Sequence, residues 1–457
     1  MKRALAVIAL LLLVAAGLAV AWVWSRTRTH DVRGSSTVEF VTTEEPATET
    51  RPEKVVADTP WPLYGYDEAR TRVAAQFRLR APFHVLWTVR LGNTIEFPPV
   101  VAYEALYVNQ IRGRFFKIRV TDGHILWRKH FFNCSAASPA VGNKIVYVAL
   151  MQRYPCRRYP RTQQGAIVAL RVRGGKQLWR YNRVGAVESS PLLVGKTLYF
   201  GSWDHHVYSL AVGGKRPVLR WRFAADGEVN TSPAFAGGQL FFGTDAGSVY
   251  ALDARTGRLR WRSQSFSHFP RGREYFYASP AVAYGRVYIG NTDGTMYAYG
   301  ASTGRLLWAR HVGTYVYTAA AVRERRVYIG TYDGKFLALN AATGDVVWTY
   351  NAPAAIHGAS AIVGNLVFLS TCGRCGENGS RGAKSGPRVT IALDPRTGRK
   401  VWSFPDGQYS PVVADEHRLY LVGRTRVYGL GPVRAAASER ASKKSHAKTK
   451  PRKGHAK

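Results

Sequence analysis

The chain has 457 residues, room for two or three ordinary domains, and 65 Lys and Arg stand against 29 Asp and Glu for a formal net charge of +36. Such an excess draws polyanions such as anionic lipid headgroups or acidic cell-wall polymers, and it equally serves as a solubilising surface; charge alone names no partner. No nucleic-acid reader motif accompanies it, and the export signal below argues against nucleic acid.

An apolar run from Ala4 to Trp24 follows Met1–Arg3. At 1.5 Å per residue it is long enough to span a hydrocarbon core of ~30 Å, so residues 1–24 are expected to form one transmembrane signal-anchor helix. The small-residue stretch Ala19-Val20-Ala21 offers a cleaved signal peptide as the competitor, but the run continues to Trp22 and Trp24, residues suited to a membrane interface. Lys2 and Arg3 on one side oppose Arg26, Arg28 and Arg33 on the other, so charge does not orient the helix.

Residues 25–60, rich in Thr, Glu, Pro and Arg without hydrophobic period, are expected to be a flexible linker. Residues 433–457, with Lys443, Lys444, Lys448, Lys450, Arg452, Lys453 and Lys457, are expected to be a disordered basic tail.

Between them one unit repeats. In residues 279–308 an apolar stretch turns at Gly285 into the alternating strand Val287-Tyr288-Ile289. Asp293-Gly294 then makes a hairpin, Met296–Tyr299 a third strand, and Thr303-Gly304 turns into a fourth that ends at Trp308. Four short antiparallel strands make a propeller blade. The closing Trp recurs at Trp87, Trp127, Trp179, Trp221, Trp261, Trp308, Trp348 and Trp402, spaced 40, 52, 42, 40, 47, 40 and 54 residues apart. Trp87 arrives on a lone strand, Phe83–Arg90, and three strands follow Trp402 with no closing Trp. The lone strand should complete the last blade near Val427–Leu430. Residues 61–432 are therefore an all-β, eight-bladed propeller with four-stranded antiparallel blades and no free edge.

The unit from Val327 to Trp348 resembles the repeat of the pyrroloquinoline quinone-type propellers, found in quinone-dependent dehydrogenases and in the non-catalytic outer-membrane assembly lipoprotein. Trp61-Pro62-Leu63-Tyr64-Gly65-Tyr66-Asp67, followed by Arg70-Thr71-Arg72, is similar to the lead-in of that family. The resemblance implies that the closing Trp residues pack between blades and are structural. It also implies a test for enzymes: the dehydrogenases hold their quinone under a disulfide of adjacent cysteines, with calcium on Glu and Asn near a catalytic Asp. This chain has no adjacent cysteines and no match to that set, so no catalytic residue, metal or cofactor is assigned; pyrroloquinoline quinone and calcium lack the residues to support them.

Three insertions fall on the face where blade-to-blade connections and second-to-third-strand loops emerge. One carries Cys134 and Cys156, expected to pair because the two share a face and export is oxidising. A second carries Cys372 and Cys375. Haem attachment needs a His after this CxxC, where Gly376 stands, zinc needs two further ligands, and a redox pair needs a strand-to-helix context, so a local staple is favoured. The third, residues 263–277, mixes Phe266, His268, Phe269, Arg271, Arg273, Tyr275, Phe276 and Tyr277, suited to recognition or to a lid. Three residues before the aligned inner-strand Pro stand Glu96, Ala136, Glu188, Asn230, Tyr277, Tyr317, His357 and Gln408, which should ring the axis as a solvated rim or a ligand funnel.

The expected function is a membrane-anchored, extracytoplasmic, monomeric binding or scaffold propeller presenting the insertion face to a protein, peptide or glycan. The alternatives are an atypical quinone-dependent dehydrogenase and a basic protein that grips acidic polymers.

Overall fold

A computed structural model describes residues 2–27, 31–41, 58–154, 156, 165–265, 275–373, 375, 382–410 and 412–433. Eight sheets radiate from one axis. Blade 1 comprises Val100–Ala102, Ala105–Asn109, Arg114–Arg119 and Ile125–His130. Blades 2 to 7 begin at Ala140, Leu192, Ala234, Ala281, Ala321 and Ala361. Blade 8 joins Val412–Ala414, Leu419–Val422 and Arg426–Pro432 to the distant strand Phe83–Arg90, which pairs antiparallel from Phe83↔Pro432 to Arg90↔Arg426. A strand from near the start of the propeller and the last strand of the chain thus share a sheet, and this closes the ring.

The middle strands are apolar and buried on both faces, as in Leu366–Ser370, while outer strands alternate, as in Val346–Asn351. Every outer strand carries a bulge at the residue before its Trp: Leu86, Leu126, Leu178, Arg220, Arg260, Leu307, Val347 and Val401. The extra residue tips the indole toward the next blade. Opposite the Trp the third strand offers a small residue in seven blades, such as Ala298 facing Trp308, and Lys117 in the other.

The lead-in, residues 58–79, threads the axial channel. Inner strands are sheet edges whose N–H groups would lack partners; the lead-in supplies them. Val101, Val141, Phe235, Val282, Val322 and Ile362 donate to the carbonyls of Trp61, Pro62, Glu68, Ala69, Thr71 and Arg72 at 2.7–3.1 Å. Blade 3 is reached by the buried Arg70 guanidinium, which donates to the carbonyls of Ser190, Pro191 and Pro233, and also of Tyr64. Val73-Ala74 adds a short parallel strand to blade 7. Among serines two residues past the ring position, Ser138, Ser190 and Ser232 each donate a backbone N–H to the next serine's Oγ, tying four blades in series.

The linker expectation needs correction for residues 31–41. Val32 bridges Ala309, Gly34 donates to Thr343, and Phe40 stacks on Tyr284 at 5.3 Å. The fully buried Arg286 donates to the carbonyls of Ser35, Val38 and Glu39 from one side and of Ala341 and Ala342 from the other. Five backbone acceptors for one guanidinium make this stretch a strap fixed to blades 5 and 6. Residues 42–57 and the basic tail beyond residue 433 lie outside the described residues.

An α-helix covers Lys2–Thr27. Its described side chains, residues 7–20, are exposed and apolar. Among the described residues no helix is long and apolar enough to cross a membrane, so the expected transmembrane span is not carried by them.

Candidate functional site

In an inner-to-outer blade, the first and third turns share one end, while the second turn and the link to the next blade share the other. The Thr-Gly turns therefore lie on one face and the insertions on the opposite one. Cys134 and Cys156 are bonded on the insertion face, with Cα atoms 5.6 Å apart, and Cys372 and Cys375 are bonded there at 5.5 Å. All four cysteines are paired as expected.

The ring residues converge on the axis at this face. Glu96, Asn230, Tyr277, Tyr317 and His357 line one pocket with Phe97, Tyr409 and Tyr64, the last rising from the lead-in as a floor. Glu188 joins from the side, accepting hydrogen bonds from the Tyr277 hydroxyl and from Trp203 Nε1 at 3.1 Å. Tyr277 and Tyr317 are neighbours at 4.9 Å between ring centres, and Tyr317 stacks on His357 at 5.7 Å. Ala136 instead packs in a small cluster with Cys134, Met151 and Ala186, and Gln408 is buried with Oε1 unpartnered.

These side chains fill the space they enclose. About 30 Å³ remains free, the share of a single water in liquid. The geometry is a narrow polar pocket rather than a roomy funnel. Its electrostatics reflect that crowding. Burial, then the neighbouring Glu188, pushes the Glu96 carboxyl up to about 7, and burial pulls the His357 imidazole down to about 4. Tyr332 bonds the His357 Nδ1.

Several contributors escaped the sequence reading. Tyr275 donates to or accepts from the Tyr317 hydroxyl at 2.6 Å, so it belongs to the axial cluster, not to an exposed insertion. Phe276 is core, packed edge-on against Tyr297. Phe266, His268, Phe269, Arg271 and Arg273 lie outside the described residues. Tyr315, Tyr332 and Tyr409 complete the aromatic cluster. The available signal was Tyr332 matching Trp203, each two residues past the Gly that ends a second strand, where both side chains reach ring members.

The family model described as outer membrane protein assembly factor BamB matches residues 84–263, 163–314 and 246–403 in overlapping copies, which together span most of the propeller. The chain belongs to the BamB family. Within the PQQ-type propellers that surround this family, solved structures agree on the fold. BamB from Moraxella catarrhalis superposes with a TM-score of 0.60 at 15% identity, over 77% of this chain and 100% of that one. The quinohemoprotein alcohol dehydrogenase from Comamonas testosteroni gives 0.63 at 13%, over 83% and 82%. A europium-containing methanol dehydrogenase gives 0.62 at 12%, over 81% and 98%. At these identities the likeness is one of fold, shared by BamB and by dehydrogenases alike. No curated protein sequence matches the chain.

The dehydrogenase relatives raise the question of a quinone site. Ligand pockets typically offer about 300–1,000 Å³, and the axial pocket here offers about 30 Å³. Among the described residues no three His, Cys, Asp or Glu side chains are grouped to hold a metal ion. The bonded cysteines are three and 22 residues apart rather than adjacent. The residues present do not fit a quinone with its calcium.

Proposed function

We propose that this BamB-family chain is an extracytoplasmic, membrane-anchored binding propeller that presents its insertion face to a protein partner and carries out no redox chemistry. The observation that carries the reading is the axial pocket, where dehydrogenase relatives would need space and this chain places Tyr64, Tyr277, Tyr317, Tyr332 and His357. Two disulfides on the insertion face support an oxidising compartment and a stiffened recognition surface. The apolar N-terminal segment supports an anchor.

Photo-crosslinkers placed at Tyr154 on the insertion face and at Lys196 on the opposite face of the full chain, in native membranes, test this. A discrete adduct from Tyr154 with none from Lys196 supports the reading; the reverse pattern, or no adduct from either, contradicts it.

A second reading has its own observation. On the Thr-Gly face, the eight turns of blades 2 to 5 hold Lys144, Arg173, Lys176, Lys196, Lys215, Arg216, Arg255, Arg258 and Arg305, against which stand the carboxylates of Asp253, paired with Arg260, and Glu39, paired with Arg305. That exposed arc suits acidic polymers, and a binding that collapses between about 0.05 and 0.5 M salt would mark it as electrostatic.

A further inference from the structure

Beside the Cys134–Cys156 bond the insertion face opens into a cleft of about 620 Å³, lined by Phe131, Phe132, Asn133, Arg153, Tyr154, Gly165, Arg180 and Asn182. It is about twenty times roomier than the axial pocket. Phe132 is 67% exposed and held in the left-handed region (φ 56°), a costly backbone for an aromatic residue. Its ring leans on His130 at 4.2 Å between centres. Tyr154, whose backbone N–H donates to the Phe132 carbonyl at 3.1 Å, is 56% exposed, with the Arg112 guanidinium 5.4 Å above its ring.

Among the described residues no carboxylate lines the cleft, and two guanidinium groups do. Arg180 spends Nε on Asn182 Oδ1 at 2.6 Å and Nη2 on Asn133 Oδ1 at 3.0 Å. Burial, then the charge of Arg153, holds Arg180 below the usual arginine range. Arg153 itself is exposed and enters no ion pair among the described residues. The two amide oxygens that line the cleft are thus already engaged by Arg180, and what faces a visitor is cationic donors flanked by exposed aromatic rings.

We propose that this cleft binds a carboxylate of an acidic peptide segment, seating a neighbouring apolar side chain between Phe132 and Tyr154. The choice of peptide over sugar follows from the donor balance. A carboxylate only accepts and suits the two guanidinium groups, whereas a sugar hydroxyl also needs an acceptor, and the two side-chain amide oxygens of the cleft already accept from Arg180. Aromatic and Arg side chains are also the usual anchors of protein contacts. The proposal rests on the insertion face being the working face, and it names the chemistry of the partner there.

The test uses the full chain in detergent against an array of capped octapeptides pairing Asp or Glu with aromatic or aliphatic residues, with Asn and Gln counterparts and a uronic-acid oligomer as controls. Acidic members should be retained and their amide counterparts weakened about tenfold or more, the loss of a charge-assisted hydrogen bond. Arg153→Ala should weaken the retained peptides comparably, Arg153→Lys should restore part, and both variants should melt with the parent because the side chain is exposed. An array without acidic preference, an Arg153→Ala variant that binds like the parent, or tighter binding of the uronic-acid oligomer would each overturn the proposal. If the array fails while Tyr154 still crosslinks one partner, the cleft assignment falls and the scaffold reading stands.

Discussion

The Trp308 indole Nε1–H donates to the Ala341 carbonyl of the next blade at 3.0 Å, and Ala341 stands seven residues before the next closing Trp. The same step recurs from Trp87 to Val120, Trp127 to Val172, Trp221 to Ala254, Trp261 to Ala301 and Trp348 to Pro395. Each acceptor lies in the turn that precedes the following Trp, so six of the eight blades are each clasped to the successor by one indole.

Gly344 completes the Trp308 clasp. Its φ is +77°, and an added Cβ would stand 2.9 Å from the indole ring. Gly344→Ala is therefore expected to destabilise by about 1–3 kcal/mol through left-handed strain and crowding. Trp308→Ala, which empties a fully buried site, should cost about 3–5 kcal/mol. Thermal or urea unfolding of both variants checks the order.

The two lead-in arginines should behave oppositely. Arg70 donates to four backbone carbonyls, so Arg70→Met strands buried acceptors and is expected to cost about 3 kcal/mol or more. Arg72 is as deeply buried, yet all three of its guanidinium nitrogens lack hydrogen-bond partners, and it rests over the Tyr64 ring at 4.3 Å. Arg72→Met removes a buried charge that the Tyr64 ring and the Asp67 carboxylate offset only in part, and should leave stability unchanged or raised. Paired melting curves decide it.

The axial pocket should give two opposed pH dependences. Glu96, pushed up to about 7 from 4.5, binds its proton more tightly when folded, so its contribution falls as pH rises from about 4.5 to 7. His357, pulled down to about 4 from 6.5, is held neutral when folded, so its contribution rises with pH from about 4 to 6.5. In the parent the two offset each other over the shared window. Glu96→Gln should leave a melting temperature that climbs with pH there, and His357→Gln one that declines; matching slopes in both variants would contradict the assignment.

Reduction of the Cys134–Cys156 bond, which spans 22 residues, should release about 3 kcal/mol of stabilisation in the chain-entropy picture. The Cys372–Cys375 bond spans three and should matter less. Cys134→Ser with Cys156→Ser, against Cys372→Ser with Cys375→Ser, separates them by thermal unfolding without reductant.

What was legible in the sequence is what repeats. The eight Trp residues and their turns announce the blades because each Trp sits at the same bulge on its outer strand and six of them make the same clasp, and ring closure follows from the orphan strand at Trp87. The strap at residues 31–41 was illegible because its order comes from Arg286, some 250 residues away, and not from its own composition. The lead-in's passage through the channel was hidden for a like reason: it pairs with six inner strands by backbone alone. At the ring offset Glu96, Asn230, Tyr277, Tyr317 and His357 line one pocket, but offset fixes radius and not free space. Tyr332, Tyr409 and Tyr64, arriving from other turns, fill the pocket that the offset suggested was open.

The central claim, a binding propeller without quinone chemistry, is tested most directly by titrating the full chain with pyrroloquinoline quinone and calcium while following quinone absorbance and dye reduction with alcohols. A pocket with about 30 Å³ free predicts no saturable binding and no turnover above the free quinone. One quinone bound per chain, with dye reduction abolished by Glu96→Gln or Tyr277→Phe, would contradict the account.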